Sequence, residues 1–167
     1  MKKTSMTTAM SPTRRRNFVG KYNIDAGRTP EQIEKMKKLA ESGVCAFCPE
    51  YFIEHHDNPI EFETDHWIVA KNDYPYEHTA NHLLLVSREH IQRMEEMSAE
   101  ARADFMEVVV KVEKDFGLDS FALGMRVGDM QYNGGSVEHL HAHIVVGDKT
   151  DNTVRFKMSS LPKNNKQ

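Results

Sequence analysis

EHLHAHIVV, residues 138–146, is the stretch of this sequence that decides the fold prediction. Successive side chains of a β-strand point to opposite faces, so His139, His141 and His143 share one face and the apolar residues between them share the other. Three imidazoles on one face are costly for a core and unusual for a plain solvated surface. We therefore predict a strand over residues 139–146 that presents three histidines to a functional site.

A glycine-rich segment lies directly before this strand. Gly134 and Gly135 allow the backbone to approach a ligand closely, and Ser136 offers a hydroxyl and an amide. Most Gly-Gly pairs are simple turns, so this signal is weak by itself. Beside three imidazoles it indicates an anion-binding loop.

Helix and strand patterns alternate over the rest of the chain. Thr29-Pro30 begins a helix over residues 30–42, and Gly43 ends it. Ser98 caps a longer helix that Gly117 ends. Strands are predicted within residues 60–71, where one or two fit, and at 82–87, 120–128 and 139–146. These elements predict an α+β fold: a mainly antiparallel sheet of about five strands with the long helix and the N-terminal helix packed on it.

Composition predicts one domain with polar ends. Residues 1–28 are expected to be a basic, flexible tail, residues 29–150 the domain, and residues 151–167 a polar C-terminal tail. The net charge of −3 argues against a dedicated nucleic-acid binder. No apolar run approaches the ~20 residues that span a bilayer, and the N-terminus does not resemble a secretory signal. We expect a cytoplasmic protein without a membrane partner.

Cys45 and Cys48 are the two cysteines of the chain, and they are separated by only two residues. Their spacing suits two ligands of one metal ion, with histidines elsewhere completing the site. A redox pair is the alternative, although no βαβ pattern of the thioredoxin type follows it. A chance spacing is the third explanation, and the pair alone does not decide among the three.

From Cys45 to Asp148 the chain resembles the histidine triad (HIT) family. The family motif is three histidines alternating with apolar residues and followed by two apolar residues, and residues 139–145 match it at every position. The loop Asn72-Asp73-Tyr74-Pro75-Tyr76 and the GGS segment are most similar to the bacterial branch that includes diadenosine tetraphosphate phosphorylases. The resemblance implies a HIT-like fold, an adenine nucleotide as substrate and a homodimer.

The resemblance also implies roles for single residues. His141 would attack the α-phosphorus and become a transient nucleotidyl-histidine, and His143 would help the leaving group depart. His82 would buttress the triad from the neighbouring strand, and Ser136, with Gly134 and Gly135, would bind phosphate. Asn72 would hold the ribose, although two extra residues separate it from His82. Histidine at position 143, where uridylyl-transferring relatives have glutamine, favours hydrolysis or phosphorolysis.

Zinc-containing HIT relatives use two further histidines, which correspond to His90 and His139 here. The resemblance therefore implies a structural zinc ion held by Cys45, Cys48, His90 and His139. Four protein ligands leave no open position for a reactive water molecule.

Two other functions stay open. Three histidines with one open position are a known catalytic zinc arrangement, so the triad could itself bind metal in a metallohydrolase. The chain could also be a non-catalytic nucleotide-binding protein of the same fold. No role is predicted for His55, His56, His66 and His78, and all of these except His66 are expected to be exposed. Gly147-Asp148 replaces the Pro-Arg that often follows the triad in relatives.

Overall fold

The computed structural model describes residues 18–150 and 152–156. Within these ranges no helix is both long and apolar enough to cross a lipid bilayer. The elements in chain order are β1 (Phe18–Val19), β2 (Tyr22–Asn23), α1 (Pro30–Ser42), α2 (Pro49–His55), β3 (Ile60–Glu63), β4 (Trp67–Lys71), β5 (Thr79–Ser87), α3 (Ala99–Asp115), β6 (Ala122–Met125), α4 (Met130–Asn133) and β7 (His141–Gly147).

Five of these strands form one sheet in the order β3-β4-β5-β7-β6, and all neighbouring pairs are antiparallel. The predicted α+β fold is confirmed. The two central strands, β5 and β7, carry the residues that the sequence singled out. Val86 lies opposite His141, and Leu84 lies opposite His143.

Helix α3 covers one face of the sheet. Its Phe105, Val108 and Val112 recur at helical spacing and pack on the buried sheet residues. The apolar side chains between the triad histidines belong to this core, and so does Trp67, whose Nε1 donates a 2.9 Å hydrogen bond to the Ala101 carbonyl. The triad histidines are therefore left to the opposite face.

The opposite face lies beneath the N-terminal part of the domain. Phe47 and Phe52 pack on apolar side chains of β4 and β5, and a second small core joins β2 to α1. The triad histidines lie between this layer and the sheet, so their burial depends on residues that precede the sheet in sequence.

The predicted helix ends are confirmed. The Thr29 side chain accepts a hydrogen bond from the Gln32 N–H at 3.1 Å, and Gly43 has a φ of 73° after the last residue of α1. Ser98 likewise accepts from the Ala101 N–H at 3.0 Å at the start of α3. Short polar side chains at these positions satisfy helix N–H groups that have no carbonyl partner.

Several boundaries differ from the prediction. The basic tail does not extend to residue 28, because residues 18–28 contain β1 and β2, and Tyr22 is buried. Strand β5 begins at Thr79, three residues before the predicted start at residue 82, and β7 begins at His141, so His139 precedes the strand. Helix α2 was not predicted. Residues 1–17, 151 and 157–167, which hold the rest of both predicted tails, lie outside the described ranges.

Candidate functional site

Strand β2 connects the two loops that flank the triad. The Tyr22 hydroxyl accepts a hydrogen bond from the Ala46 N–H at 2.9 Å and donates to the Val44 carbonyl at 3.1 Å. The Asn23 N–H donates to the Ser136 carbonyl at 3.0 Å, and its side-chain amide donates to the Gly135 carbonyl at 3.1 Å. Residues 22 and 23 thus fix the cysteine-containing loop and the glycine-rich loop around one site.

The first cluster in the site is a Cys2His2 group. The ligand atoms of Cys45, Cys48, His90 and His139 all lie within 4.8 Å of one another. The two imidazole Nδ1 atoms are 3.2 Å apart. From Sγ to Nδ1, Cys45 is 3.5 Å from His139, and Cys48 is 3.3 Å from His90 and 3.9 Å from His139.

These distances are those of a tetrahedral zinc site. Bond lengths of about 2.05 Å to nitrogen and about 2.3 Å to sulfur put two nitrogens about 3.3 Å apart and a sulfur and a nitrogen about 3.6 Å apart. The other ring nitrogen of His139, Nε2, donates a hydrogen bond to the Ser87 carbonyl at 2.6 Å. That contact leaves Nδ1 unprotonated and ready to bind a metal ion. The chain therefore has a structural zinc site with four protein ligands, as predicted.

The thiols need a cation to ionise in this environment. Burial and the neighbouring Cys45 raise the pKa of Cys48 to about 12, and burial also raises that of Cys45. A divalent cation reverses this effect because it stabilises both thiolates. This chemistry fits a metal site better than a redox pair, which needs an accessible thiolate of low pKa.

His141 lies next to this cluster but does not join it. Its Nδ1 is 2.6 Å from the His139 carbonyl and donates to it, so the proton of the neutral ring sits on Nδ1 and Nε2 is unprotonated. Burial lowers the pKa of His141 to about 4, which keeps the ring neutral at physiological pH. Phe47, which lies between Cys45 and Cys48 in sequence, makes an edge contact with this imidazole, with 4.9 Å between the ring centroids.

His143 is held by two successive hydrogen bonds that run from Tyr76 through His82. The Tyr76 backbone N–H donates to His82 Nδ1 at 3.1 Å, so neutral His82 carries its proton on Nε2. That nitrogen lies 2.9 Å from His143 Nδ1 and donates to it. Burial and the nearby cationic side chains hold the pKa of both rings far below the usual range, to about 3 for His82. Both imidazoles are neutral.

A cleft opens on this face of the sheet. Its lining includes His141, His143, Ser136 and Asn72, together with apolar side chains of α1 and the cysteine loop, among them Met36, Leu39 and Phe47. Asn72 Nδ2 is 3.1 Å from His82 Nε2. Gly134 and Gly135 are buried behind Ser136, and Gly134 has a φ of 77°. Four of the predicted residues, His141, His143, Ser136 and Asn72, therefore line one cleft, whereas His82, Gly134, Gly135 and the four zinc ligands are not among its lining residues.

Comparison with models of protein families identifies the family of this domain. A family model for the HIT domain matches residues 55–150, which is more than half of the chain. The chain belongs to the HIT family. The match begins after Cys45 and Cys48, so two of the four zinc ligands lie outside it. A comparison with curated proteins finds no match.

Solved structures of HIT proteins are similar to this chain over most of their length. A HIT family hydrolase from Clostridium thermocellum has 25% identity and a TM-score of 0.53, covering 66% of this chain and 96% of its own. A histidine triad protein from Clostridium difficile has 24% identity and a TM-score of 0.50, covering 65% and 95%. A histidine triad nucleotide-binding protein from Candida albicans has 18% identity and a TM-score of 0.54, covering 71% and 86%.

The three triad histidines do not converge as one metal-ligand cluster in this structure. His139 turns toward the cysteines, and the hydrogen bond of His141 Nδ1 to a carbonyl removes that nitrogen from any ligand set. Over residues 18–150 and 152–156, the Cys2His2 group is the one cluster of three or more histidine, cysteine, aspartate or glutamate residues with converging ligand atoms. This geometry disfavours the metallohydrolase alternative.

Several residues of this site were not predicted from the sequence. His56, expected to be exposed, has a side chain that is only 4% exposed and lies 3.3 Å from the Asp73 carboxylate. Arg126, a lone charge at the end of a predicted strand, lies 3.0 Å from His143 Nε2. Arg28, assigned to the tail, lies over the Tyr76 ring. The charge of Arg126 in an apolar stretch was the one sequence signal available for these residues.

Proposed function

We propose that this HIT protein cleaves a nucleoside phosphoramidate or a dinucleoside polyphosphate at the α-phosphorus, through a nucleotidyl intermediate on His141. The observation that carries this proposal is the 2.6 Å hydrogen bond from His141 Nδ1 to the His139 carbonyl. It leaves an unprotonated Nε2 on a neutral ring at the cleft, and such a nitrogen is the nucleophile that covalent catalysis requires.

The reaction would proceed in two displacements. In the first, the Nε2 lone pair forms a bond to the α-phosphorus while the bond to the leaving group breaks, and the electron pair departs with that group. His143 presents an N–H at Nε2, because its Nδ1 accepts from His82, and this proton can be given to a basic leaving atom. In the second, water or phosphate attacks the nucleotidyl-histidine and regenerates the free imidazole.

The cleft suits a nucleotide. The apolar side chains of Met36, Leu39 and Phe47 form a wall that can bury a base, and adenine is the base we propose. Asn72 lines the same cleft and would hold the ribose hydroxyls. Gly134, Gly135 and Ser136 form the loop that would bind the phosphate next to His141.

The zinc ion would support this site from outside the reaction. Cys45, Cys48, His90 and His139 would hold it and leave no open position. Its chemistry would be to neutralise two thiolates and fix the start of the triad strand. His139 then supplies both a metal ligand and the carbonyl that orients His141.

We also propose a homodimer in the cytoplasm. A reducing compartment keeps Cys45 and Cys48 available for metal, and pairing would cover an exposed sheet edge. The similarity to a solved HIT family hydrolase at 25% identity supports the proposal of a hydrolase. The closer likeness to diadenosine tetraphosphate phosphorylases stays a prediction.

Turnover of adenosine phosphoramidate and diadenosine tetraphosphate, with and without added phosphate, tests the proposal. We expect release of AMP in the absence of phosphate, or of ADP when phosphate is the acceptor. Loss of His141 in a His141→Ala variant should lower kcat/KM by about four orders of magnitude or more. Binding of both nucleotides without turnover by the wild-type protein would instead favour the non-catalytic alternative.

A further inference from the structure

Arg126 contacts the triad face from the end of β6. Its Nη1 lies 3.0 Å from His143 Nε2, and its Nη2 donates a 3.1 Å hydrogen bond to the Tyr76 hydroxyl. The Phe156 ring covers the guanidinium, with 4.2 Å from Cζ to the ring centroid. Three different segments of the chain therefore fix one cationic group beside the third triad histidine.

Phe156 reaches this position because β6 has a glycine beneath it. Gly124 is the partner of His143 in the sheet, and a Cβ at position 124 would lie 2.9 Å from the Phe156 ring. The ring is also 5.5 Å from His143 and 5.7 Å from Tyr76 between centroids, edge-on in both cases. The segment 152–156 thus forms a wall of the site next to His143.

The contact between Arg126 and His143 brings a guanidinium beside a ring nitrogen. The relay from the Tyr76 N–H through His82 makes His143 Nδ1 an acceptor, so neutral His143 carries its proton on Nε2. A guanidinium has only donors. The two nitrogens are 3.0 Å apart, and an anionic oxygen beside them would accept from the guanidinium and from a proton on His143 Nε2.

A second guanidinium lies near the first. Arg28 Cζ is 4.6 Å from the centroid of the Tyr76 ring, and its Nη2 donates to the Tyr74 carbonyl. Among the described residues, no carboxylate lies within salt-bridge distance of Arg28. Its pKa is lowered by burial and by Arg126, so an anion bound here would relieve the repulsion between the two cations.

We propose that Arg126, held by Phe156 and Tyr76, binds the phosphates of the leaving group and makes the site prefer polyphosphate leaving groups to neutral ones. This inference rests on the proposed function and specifies its substrate class. A dinucleoside polyphosphate, with several phosphates beyond the α-phosphorus, has the charge that two guanidiniums match. A phosphoramidate has none on its leaving side.

The chemistry of the step agrees with this preference. When His141 attacks the α-phosphorus of diadenosine tetraphosphate, the bond to the bridging oxygen breaks and ATP departs with the electron pair on that oxygen. A phosphate oxygen of low basicity needs charge neutralisation more than a proton, and a guanidinium gives charge without giving a proton. An amine leaving group needs the proton instead.

The test compares Arg126→Gln with Arg155→Gln, which removes the same charge from an exposed residue of the segment 152–156. For Arg126→Gln we expect kcat/KM to fall about 10- to 100-fold more with diadenosine tetraphosphate than with adenosine phosphoramidate. For Arg155→Gln we expect the ratio of the two values to stay within about threefold of wild type. Equal losses on both substrates with Arg126→Gln would overturn the proposal.

Phe156→Ala provides a second variant that keeps both charges. It should shift the same ratio in the same direction, by about 3- to 30-fold, because the guanidinium loses the ring that holds it. An unchanged ratio would show that the C-terminal segment does not act through Arg126, and would remove Phe156 from the proposal.

Binding separates this proposal from the proposed function. Calorimetric titration of ATP and adenosine into His141→Ala protein, with and without Arg126→Gln, needs no turnover. We expect Arg126→Gln to weaken ATP binding at least about 10-fold and adenosine binding by less than about twofold. If the wild type turns over neither substrate but this difference is found, the proposed reaction fails while the phosphate-binding role stands. Equal weakening of both ligands would overturn the role.

Discussion

At the scale of single residues, hydrogen bonds to the backbone determine where the protons of the triad lie. The His139 carbonyl fixes the proton of His141, and the Tyr76 N–H fixes that of His82 and, through it, that of His143. Backbone groups cannot change between donor and acceptor. The site is therefore preorganised with a nucleophilic nitrogen at His141 and an N–H at His143 before any ligand binds.

Asp73 is a buried charge that supports the loop carrying Asn72. Its side chain is 6% exposed. Burial by itself would raise the pKa of its carboxyl, but hydrogen bonds and nearby cations more than reverse that effect, so the pKa lies below its ordinary value. The groups responsible are the N–H groups of Asp57 and Asn58 and the side chains of His56 and Lys35.

We predict that Asp73→Asn lowers the free energy of unfolding by about 1–3 kcal/mol at pH 7. Because the folded-state pKa is depressed, the stabilisation is present above the unfolded pKa of about 3.9 and is lost as pH falls through the folded value. The difference between wild type and variant should thus shrink as pH falls toward 3. Urea unfolding at several pH values measures it.

Asp65→Asn is the matched control, because Asp65 is exposed. It should change stability by less than about 0.5 kcal/mol at every pH. A constant difference between wild type and Asp73→Asn across this pH range would contradict the assignment of the effect to the ionised carboxylate.

At the scale of elements, the zinc site joins segments that are far apart in sequence. Cys45 and Cys48 lie between α1 and α2, His90 follows β5, and His139 precedes β7. A metal ion at this point would fix the N-terminal layer of the domain to the two central strands. Metal binding of this kind contributes directly to folding stability, since the unfolded chain has no preformed site.

We predict that His90→Ala removes zinc and lowers the free energy of unfolding by at least about 3 kcal/mol, a decrease in Tm of roughly 6–12 °C. His66→Ala replaces a histidine outside the cluster and should keep one zinc ion per chain. Metal content by mass spectrometry and thermal melts measure both effects. Full zinc retention in His90→Ala would contradict the ligand set and revive a triad-bound metal.

Elements with local signals were predicted, and elements that depend on distant contacts were not. Caps at Thr29 and Ser98 act within one turn, so the sequence shows where α1 and α3 begin. By contrast, β2 gains its stability from the loops at residues 44–46 and 135–136, and no pattern within residues 18–28 reveals those partners. The contact of the buried His56 side chain with Asp73 likewise joins residues that are distant in sequence.

The site shows the same division between local and distant contacts. Alternation along residues 139–145 predicted the shared face of His141 and His143, and the structure has it. The position of His139 beside Cys45, away from the other two histidines, was predicted only by the family resemblance. The contacts of Arg126 and Phe156 could not be predicted, because they join the end of β6 to a segment near the C-terminus.

At the scale of the whole molecule, β6 is an outer strand of the sheet, and no other strand within residues 18–150 and 152–156 pairs with its second edge. Leu123 on this strand is 43% exposed, and Val127 just beyond it is 39% exposed. An outer strand with apolar side chains tends to pair with another chain unless it is covered. This edge is where we propose that two copies meet.

We predict that light scattering coupled to size exclusion gives twice the 19.2 kDa chain mass at micromolar concentration. Leu123→Lys should shift the protein toward the monomer, because like charges would face each other across a two-fold interface. Ile53→Lys, at a residue that is 79% exposed on α2, is the control and should leave the mass unchanged. A wild-type monomer would contradict the dimer.

A covalent intermediate on His141 would be visible directly in the mass of the protein. Wild-type or His141→Ala protein, in molar excess, is mixed with diadenosine tetraphosphate. The reaction is quenched within one turnover at neutral or alkaline pH, and the mass of the intact protein is measured. We predict an added adenylyl group on the wild type alone, and its loss after treatment with acid, as expected of a phosphorus–nitrogen bond. Product release by the wild type with no adduct at any quench time, or an equal adduct on both proteins, would contradict it.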